Sequence, residues 1–233
     1  MEYKKLILFD IDGTLIRHVG ESLFSERLRY GAKRAYGIEV SDTDVSNFRG
    51  SVDKDTAWSI IHSSGISYDF FESKFDEFSR AMYDFLVKYS KNTVLYQKID
   101  DAEKLARTLR DTPGVALGLL TGNVKTIGIW KLEHAKLGDI FTFGIFGDTA
   151  NDRFELAKMV PHEAQIFFHH SFRPDETYVL GDTIYDVRCA KSIGAHCVAV
   201  TTGHHGSREE LVKEEPDLVV DSLLDEKVLK LLF

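Results

Sequence analysis

The segment LILFDIDGTL, residues 6–15, places two carboxylates directly after a run of apolar residues. The apolar run predicts a buried β-strand over Lys5–Phe9. An ionised carboxylate at the end of a buried strand needs a cation or hydrogen-bond donors nearby, and ligands of open α/β sheets bind at that end of the strands. Asp10 and Asp12 are therefore site candidates. A helix cap or a calcium loop would use similar residues, but residues 14–16 lack the third carboxylate of a calcium loop.

Short apolar runs along the rest of the chain predict the other strands of a sheet. They cover residues 115–120, 178–180, 197–201 and 218–220, and a weaker run covers 140–146. The later runs alternate with helix-like segments, which is typical of a parallel sheet with helices on both faces. We predict an α/β fold with a Rossmann-like parallel sheet core flanked by helices.

The interval 16–93 interrupts this alternation, because it contains no convincing strand and three helical patterns. Apolar residues recur at helical spacing over 24–35, and Gly37 follows where a helix carboxyl cap is expected. A second helix is predicted over 54–63 and a third over 69–89. We interpret the phenylalanine-rich stripe of the third helix as core packing.

The three helical patterns indicate an inserted domain. We predict a discontinuous α/β core of residues 1–15 and 94–233, and an all-helical cap domain of residues 16–93. Asp53 is expected to cap the second cap helix.

Two further strands end in polar residues that suit a phosphate site. Thr121, Gly122 and Asn123 follow the strand over 115–120 and offer a hydroxyl, an unhindered backbone and an amide, although this tripeptide is also ordinary turn chemistry.

Asp182 and Asp186 follow the strand over 178–180. Acidic residues at the ends of separate strands indicate a divalent-cation site, for which Mg²⁺ is the natural ion, since it takes one or two carboxylates together with substrate phosphate oxygens.

Together these motifs resemble those of the haloacid dehalogenase superfamily, in the same order and over nearly the whole chain. The segments DIDGTL (10–15), LTGN (120–123) and GDTIYD (181–186) are similar to the family's first, second and fourth motifs. The inserted helices are similar to the cap of the phosphoglycolate phosphatase and β-phosphoglucomutase subfamily.

The resemblance implies a role for each matched residue. Asp10 would be the nucleophile and Asp12 the acid–base residue, with Mg²⁺ held by Asp10, Asp182 and the Asp12 carbonyl. Asp186, also assigned to the metal site, would position a metal-bound water or the basic side chain of the third motif. Thr121 would act in catalysis, and Gly122 and Asn123 would bind phosphate.

The third motif of the family is a basic residue, for which Arg153 and Lys158 are both candidates. We favour Arg153, since a guanidinium can contact a carboxylate and a phosphate together. A surface charge is the alternative for either residue. In the cap, Arg49 lies in a segment similar in position to the family's specificity loop and is a candidate substrate contact, or an exposed structural arginine.

The expected function is Mg²⁺-dependent hydrolysis of a small phosphorylated metabolite through an aspartyl phosphate. A β-phosphoglucomutase-like sugar-phosphate mutase is the alternative within the same chemistry. A receiver-like or non-catalytic phosphate-binding module is the alternative of another class, although such a receiver would have about half this length and no cap. The identity of the substrate stays open.

Composition limits the partners. The chain carries 29 basic and 37 acidic residues, for a net charge of −8, without a clustered basic stripe. We therefore expect a small-molecule phosphate ester as ligand and neither nucleic acid nor a membrane as partner. The apolar runs are strand-length and the amino terminus lacks a signal-peptide pattern, so a cytoplasmic location is expected. The oligomeric state stays open.

Overall fold

A computed structural model of the protein describes residues 2–20, 23–41, 51–203 and 207–233. The strands in chain order are β1 (Lys5–Phe9), β2 (Ile16–His18), β3 (Tyr96–Lys98), β4 (Val115–Thr121), β5 (Phe143–Phe146), β6 (Thr177–Gly181), β7 (His196–Val200) and β8 (Leu218–Val220). The α-helices are α1 (Phe24–Tyr36), α2 (Asp53–Ile61), α3 (Tyr68–Ser90), α4 (Asp100–Arg110), α5 (Lys125–His134), α6 (Arg153–Phe168), α7 (Ile184–Ser192), α8 (Arg208–Lys213) and α9 (Glu226–Leu232). Across these ranges, none of the helices combines the length and apolarity that crossing a membrane requires.

Six strands form one parallel sheet in the order β5-β4-β1-β6-β7-β8. β1 is central, and its residues are fully buried from Leu6 to Phe9, as expected for a strand covered by helices on both faces. The predicted Rossmann-like core is confirmed. Because all six strands run in the same direction, the residues that follow β1, β4 and β6 meet at one edge of the sheet.

The strand predicted over 140–146 is shorter than expected, since β5 begins at Phe143. Ile140 lies in a turn, where its N–H donates to the Leu137 carbonyl at 3.2 Å, and its side chain is 3% exposed. Its apolar character reflects burial in the core and not membership of the sheet.

The helices predicted between the first two motifs are present as α1, α2 and α3. Gly37 ends α1 in the left-handed conformation, with φ of 71°, as the sequence predicted. α1 packs on α3 so closely that a Cβ at Gly31 would collide with the ring of Phe78. The phenylalanine stripe of α3 is buried, which agrees with its interpretation as core packing.

The prediction that Asp53 caps α2 is wrong. The helix begins at Asp53, and its cap residue is Val52, which offers no side-chain acceptor. The Asp53 carboxylate instead accepts hydrogen bonds from Arg27 and from the backbone N–H of Val124. The Asp53 carboxylate does not cap the helix because these two hydrogen bonds use its oxygens. They connect the helical segment to the loop after β4.

The expectation that residues 16–93 hold no strand is also wrong at its edge. β2 pairs with β3 in a two-stranded antiparallel ribbon, with His18 opposite Tyr96. Each strand has three residues, too few to produce a recognisable alternation. The ribbon lies where the chain leaves the core and returns to it. The boundaries of the two predicted domains stay a prediction.

Candidate active site

Asp10 follows β1 at the centre of the sheet edge and is 6% exposed. Its backbone N–H donates to the Leu180 carbonyl of β6 at 2.9 Å, which fixes the position of the residue. Burial, followed by the charge of Asp186, raises the pKa of Asp10 to about 7, against the opposing effect of Arg153. A carboxylate held in this way requires further positive charge before it is fully ionised at neutral pH.

Asp10, Asp182 and Asp186 offer carboxylate oxygens that all lie within 4.8 Å of one another. Oδ1 of Asp182 accepts a hydrogen bond from Thr14 at 3.4 Å, whereas Oδ2 is buried and has no partner among the described residues. Burial and then the charges of Asp10 and Asp186 raise the pKa of Asp182 well above its usual range.

Two glycines leave room for the Asp182 carboxylate. A Cβ at Gly13 or at Gly203 would collide with it, and Gly13 also has a φ of +82°, which favours glycine. The unpartnered oxygen and the clustered carboxylates fit a hard divalent cation with oxygen ligands. The residues present therefore suit a metal site.

Arg153 opens α6 and lies between two of these carboxylates. Its Nη2 donates to Oδ1 of Asp186, and its Nη1 lies 3.6 Å from Oδ1 of Asp10. The other oxygen of Asp186 accepts from the N–H and the hydroxyl of Thr183, at 3.0 Å and 2.6 Å. Both oxygens of Asp186 are therefore occupied in holding Arg153 and the start of α7.

Lys158, the other candidate for the third motif, is exposed on α6. Five residues along an α-helix correspond to a rotation of about 140° from Arg153, so Lys158 faces away from the sheet. Of the two basic residues proposed from the sequence, the structure brings Arg153 to Asp10 and leaves Lys158 outside the site.

Asp12 is turned away from the carboxylate cluster. Its Oδ2 accepts hydrogen bonds from Lys131 Nζ at 2.6 Å and from Asn123 Nδ2 at 2.8 Å. Burial opposes ionisation of Asp12, but the charge and hydrogen bond of Lys131, together with the bond from Asn123, outweigh it and lower the pKa of Asp12. Its carboxylate belongs to a second cluster beside the first.

Lys131 is a site residue that the sequence analysis did not predict. It lies on α5, is 3% exposed, and also donates to Asn123 Oδ1 at 2.7 Å. The sequence pattern could have indicated it, because Lys131 falls on the same helical face as the buried Ile127 and Gly128. A lysine in a buried stripe needs a partner, and here the partner is a site carboxylate.

The residues after β4 contact both Asp12 and the helical segment. Thr121 is fully buried, and its Oγ1 accepts from Asn123 Nδ2 at 2.9 Å. The Gly122 carbonyl accepts from the N–H of Asp53 at 2.7 Å, and a Cβ at Gly122 would collide with the Ser51 carbonyl. Gly122 is required here because the backbone of the helical segment approaches it. The predicted substrate contact Arg49 lies outside the described residues.

Comparisons with known proteins agree with this architecture. The family model described as haloacid dehalogenase-like hydrolase matches residues 7–200. Phosphoglycolate phosphatase 1 of Pseudomonas aeruginosa is 30% identical over 228 residues, which cover 95% of this chain and 78% of the relative.

Solved structures share the fold. A predicted phosphatase from Clostridium acetobutylicum superposes with a TM-score of 0.67 at 22% identity, covering 99% of each chain. A candidate β-phosphoglucomutase from Bacteroides vulgatus superposes with a TM-score of 0.66 at 17% identity, covering 99% of this chain and 89% of the other.

The family match and the relatives named phosphoglycolate phosphatase support a hydrolase of the phosphatase class. The chain belongs to the haloacid dehalogenase-like hydrolase family.

We expect the stability of the metal-free protein to depend on the carboxylate cluster. A carboxyl group whose pKa is higher in the folded than in the unfolded chain favours folding while it is protonated. For Asp10 this stability is lost as pH rises from 3.8 towards about 7. Asp182→Asn, which removes one charge, should therefore stabilise the metal-free protein relative to wild type more at about pH 8 than at about pH 5.

A bound divalent cation should offset the loss of stability that the metal-free protein shows as pH rises. Added Mg²⁺ should raise the melting temperature of the wild type more at the higher pH and leave Asp182→Asn nearly unchanged. Thermal unfolding with EDTA or Mg²⁺ at both pH values measures this. An equal response of both proteins to Mg²⁺ would contradict the metal site.

Proposed function

We propose that the protein is a Mg²⁺-dependent phosphomonoester hydrolase that acts on a small phosphorylated metabolite through an aspartyl phosphate on Asp10. The observation that carries the proposal is the position of Asp10, which lies within reach of Arg153 on one side and of the Asp182 carboxylate on the other. The family relationship and the relatives named phosphoglycolate phosphatase support it, and phosphoglycolate is the first substrate to test.

Asp10 would attack the phosphorus atom, because a carboxylate needs no base to become a nucleophile. The bond from phosphorus to the leaving oxygen breaks as the bond to the Asp10 oxygen forms. Arg153 would hold Asp10 and one phosphoryl oxygen together, while Asp186 keeps the guanidinium in place. When bound, Mg²⁺ would be held by Asp10 and Asp182 and would offset the charge of the carboxylates and the phosphoryl group.

Asp12 would protonate the leaving oxygen and then accept a proton from the water that cleaves the aspartyl phosphate. The second step needs the carboxylate form, which the lowered pKa of Asp12 favours. The proton that Asp12 takes from the water in this step is the one that it would give to the leaving oxygen in the next turnover. Lys131 and Asn123 act through Asp12 and are positioning residues. The side-chain amide of Asn123, which was predicted to bind phosphate, donates to Asp12 and Thr121 and accepts from Lys131.

Hydrolysis of an aryl phosphate by the purified protein, with Mg²⁺ or with EDTA, tests the proposal. Activity should require Mg²⁺ and should vanish in Asp10→Asn. Turnover that persists in Asp10→Asn would overturn the role of the nucleophile, and turnover that persists in EDTA would overturn the role of the metal.

Arg153 and Lys158 form a matched pair on one helix. Arg153→Met should lower kcat by about 10²–10³, the cost of removing one pre-positioned donor from a site of developing charge. Lys158→Met should leave kcat within about twofold, since changes to exposed residues rarely matter. Steady-state kinetics with both variants measures the difference, and equal losses would contradict the assignment of Arg153.

Lys131→Met should change the pH profile. Without the lysine, burial dominates and the pKa of Asp12 rises, so the acidic limb of the kcat profile should move to higher pH. Lys131→Arg keeps the positive charge and should restore much of the original profile. A loss of activity that is the same at every pH would indicate a purely structural role for Lys131.

A further inference from the structure

One edge of the parallel sheet borders a groove that the proposed reaction does not use. β5 is the last strand on this side of the sheet and pairs with β4. α5 packs in the same apolar cluster as Phe9 and α6 in the same cluster as Leu8, so the two helices cover opposite faces of the sheet. The groove lies between the helices, and its lining includes residues of the edge and of both helices: Thr142, Gly144, Ile129 and Ile166.

The two edges of the sheet differ in how they are protected. An edge strand carries unpaired backbone N–H and C=O groups, which proteins usually block with charged residues, proline or a covering segment. At the opposite edge, Arg208 Nη1 donates to the Val219 carbonyl of β8 at 3.3 Å. The segment IFTFGIFG, residues 140–147, contains neither a charged residue nor a proline. β5 therefore lacks the residues that prevent an edge from pairing with another strand.

Exposed apolar side chains flank this edge on both faces. Ile129 of α5 is 38% exposed, and Ile166 and Phe167 of α6 are 56% and 47% exposed. The Phe167 ring lies beside β5, with its centroid 5.3 Å from that of Phe143. A stable interface buries about 800 Å² on each partner, which is more than a short strand supplies. Apolar contacts from both helices would provide the remainder.

α5 also carries a pattern of charges that is complementary to its own copy. Lys125, Ile129 and Glu133 are spaced four residues apart, so they form one exposed stripe along the helix. Antiparallel pairing of β5 with its copy requires a twofold axis perpendicular to the sheet, which makes the two copies of α5 antiparallel as well. When the axis passes beside Ile129, Lys125 faces Glu133 of the partner subunit, and the same contact occurs twice.

We propose that the protein forms a symmetric dimer through β5, in which the two edge strands pair antiparallel and continue the sheet across both subunits. α5 meets its copy through the Lys125–Glu133 stripe on one face, and α6 meets its copy through Ile166 and Phe167 on the other. A second copy fits the groove better than an unrelated extended peptide, because only the copy matches both charges of the stripe. This inference is independent of the proposed function.

Exchange of the two charges tests the proposal. Sedimentation equilibrium of the complete chain at low salt measures the dissociation constant of the dimer. Lys125→Glu and Glu133→Lys each place like charges at both symmetric contacts, so each should raise the dissociation constant by about tenfold or more. An equimolar mixture of the two variants should recover the wild-type value, since both contacts then join opposite charges. Added salt should reduce all of these differences.

Ile166→Lys tests the other face of the interface. It places a charge in the apolar contact of α6 and should raise the dissociation constant by about thirtyfold or more. Lys213→Glu is the matched control, because it changes an exposed lysine on α8, beside the opposite edge, and should leave the constant within about twofold. Thermal unfolding of each variant establishes that it is folded before its association is compared.

A wild type that stays monomeric at about 100 μM would overturn the proposal. A dimer that responds to neither charge variant nor to Ile166→Lys would also overturn it, because such a dimer would use another surface. Failure of the mixed variants to recover the dimer would contradict the twofold arrangement about Ile129.

Discussion

Asp10, Asp182 and Asp186 meet at one edge of the parallel sheet, and the mutual repulsion of their charges is the constraint on which the site depends. Burial strengthens the repulsion and raises the pKa of both Asp10 and Asp182. Arg153 supplies one positive charge, which leaves the cluster short of cations. A divalent ion and a phosphoryl group are the partners that such a cluster can accept together, and this follows from the charges before any relative is considered.

The second constraint is the connection between the helical segment and the core. Asp53 receives hydrogen bonds from Arg27 and from the N–H of Val124, and its own N–H donates to Gly122. The helical segment and the loop after β4 are therefore joined through one residue.

The sequence predicted the central sheet and the meeting of its acidic residues, because parallel strands bring their carboxyl ends to one edge. The sequence favoured Arg153 over Lys158 on the chemistry of the guanidinium. Which of the two side chains faces the site depends on the rotational position of α6 against the sheet, which the sequence alone does not give. The interactions of Arg27 and Lys131 were not predictable in the same way. They arise where α1, α5 and the ribbon converge, and the ribbon strands are too short to be recognised from an alternating pattern.

The proposed mechanism requires Asp10 to carry the phosphoryl group during turnover. The most direct measurement is rapid acid quenching of the protein during hydrolysis, followed by mass spectrometry of its peptides. We expect one phosphoryl group on the peptide that contains Asp10, and none on that peptide in Asp10→Asn. A phosphoryl group on a different residue, or an unmodified Asp10 peptide at every quench time while product accumulates, would contradict it.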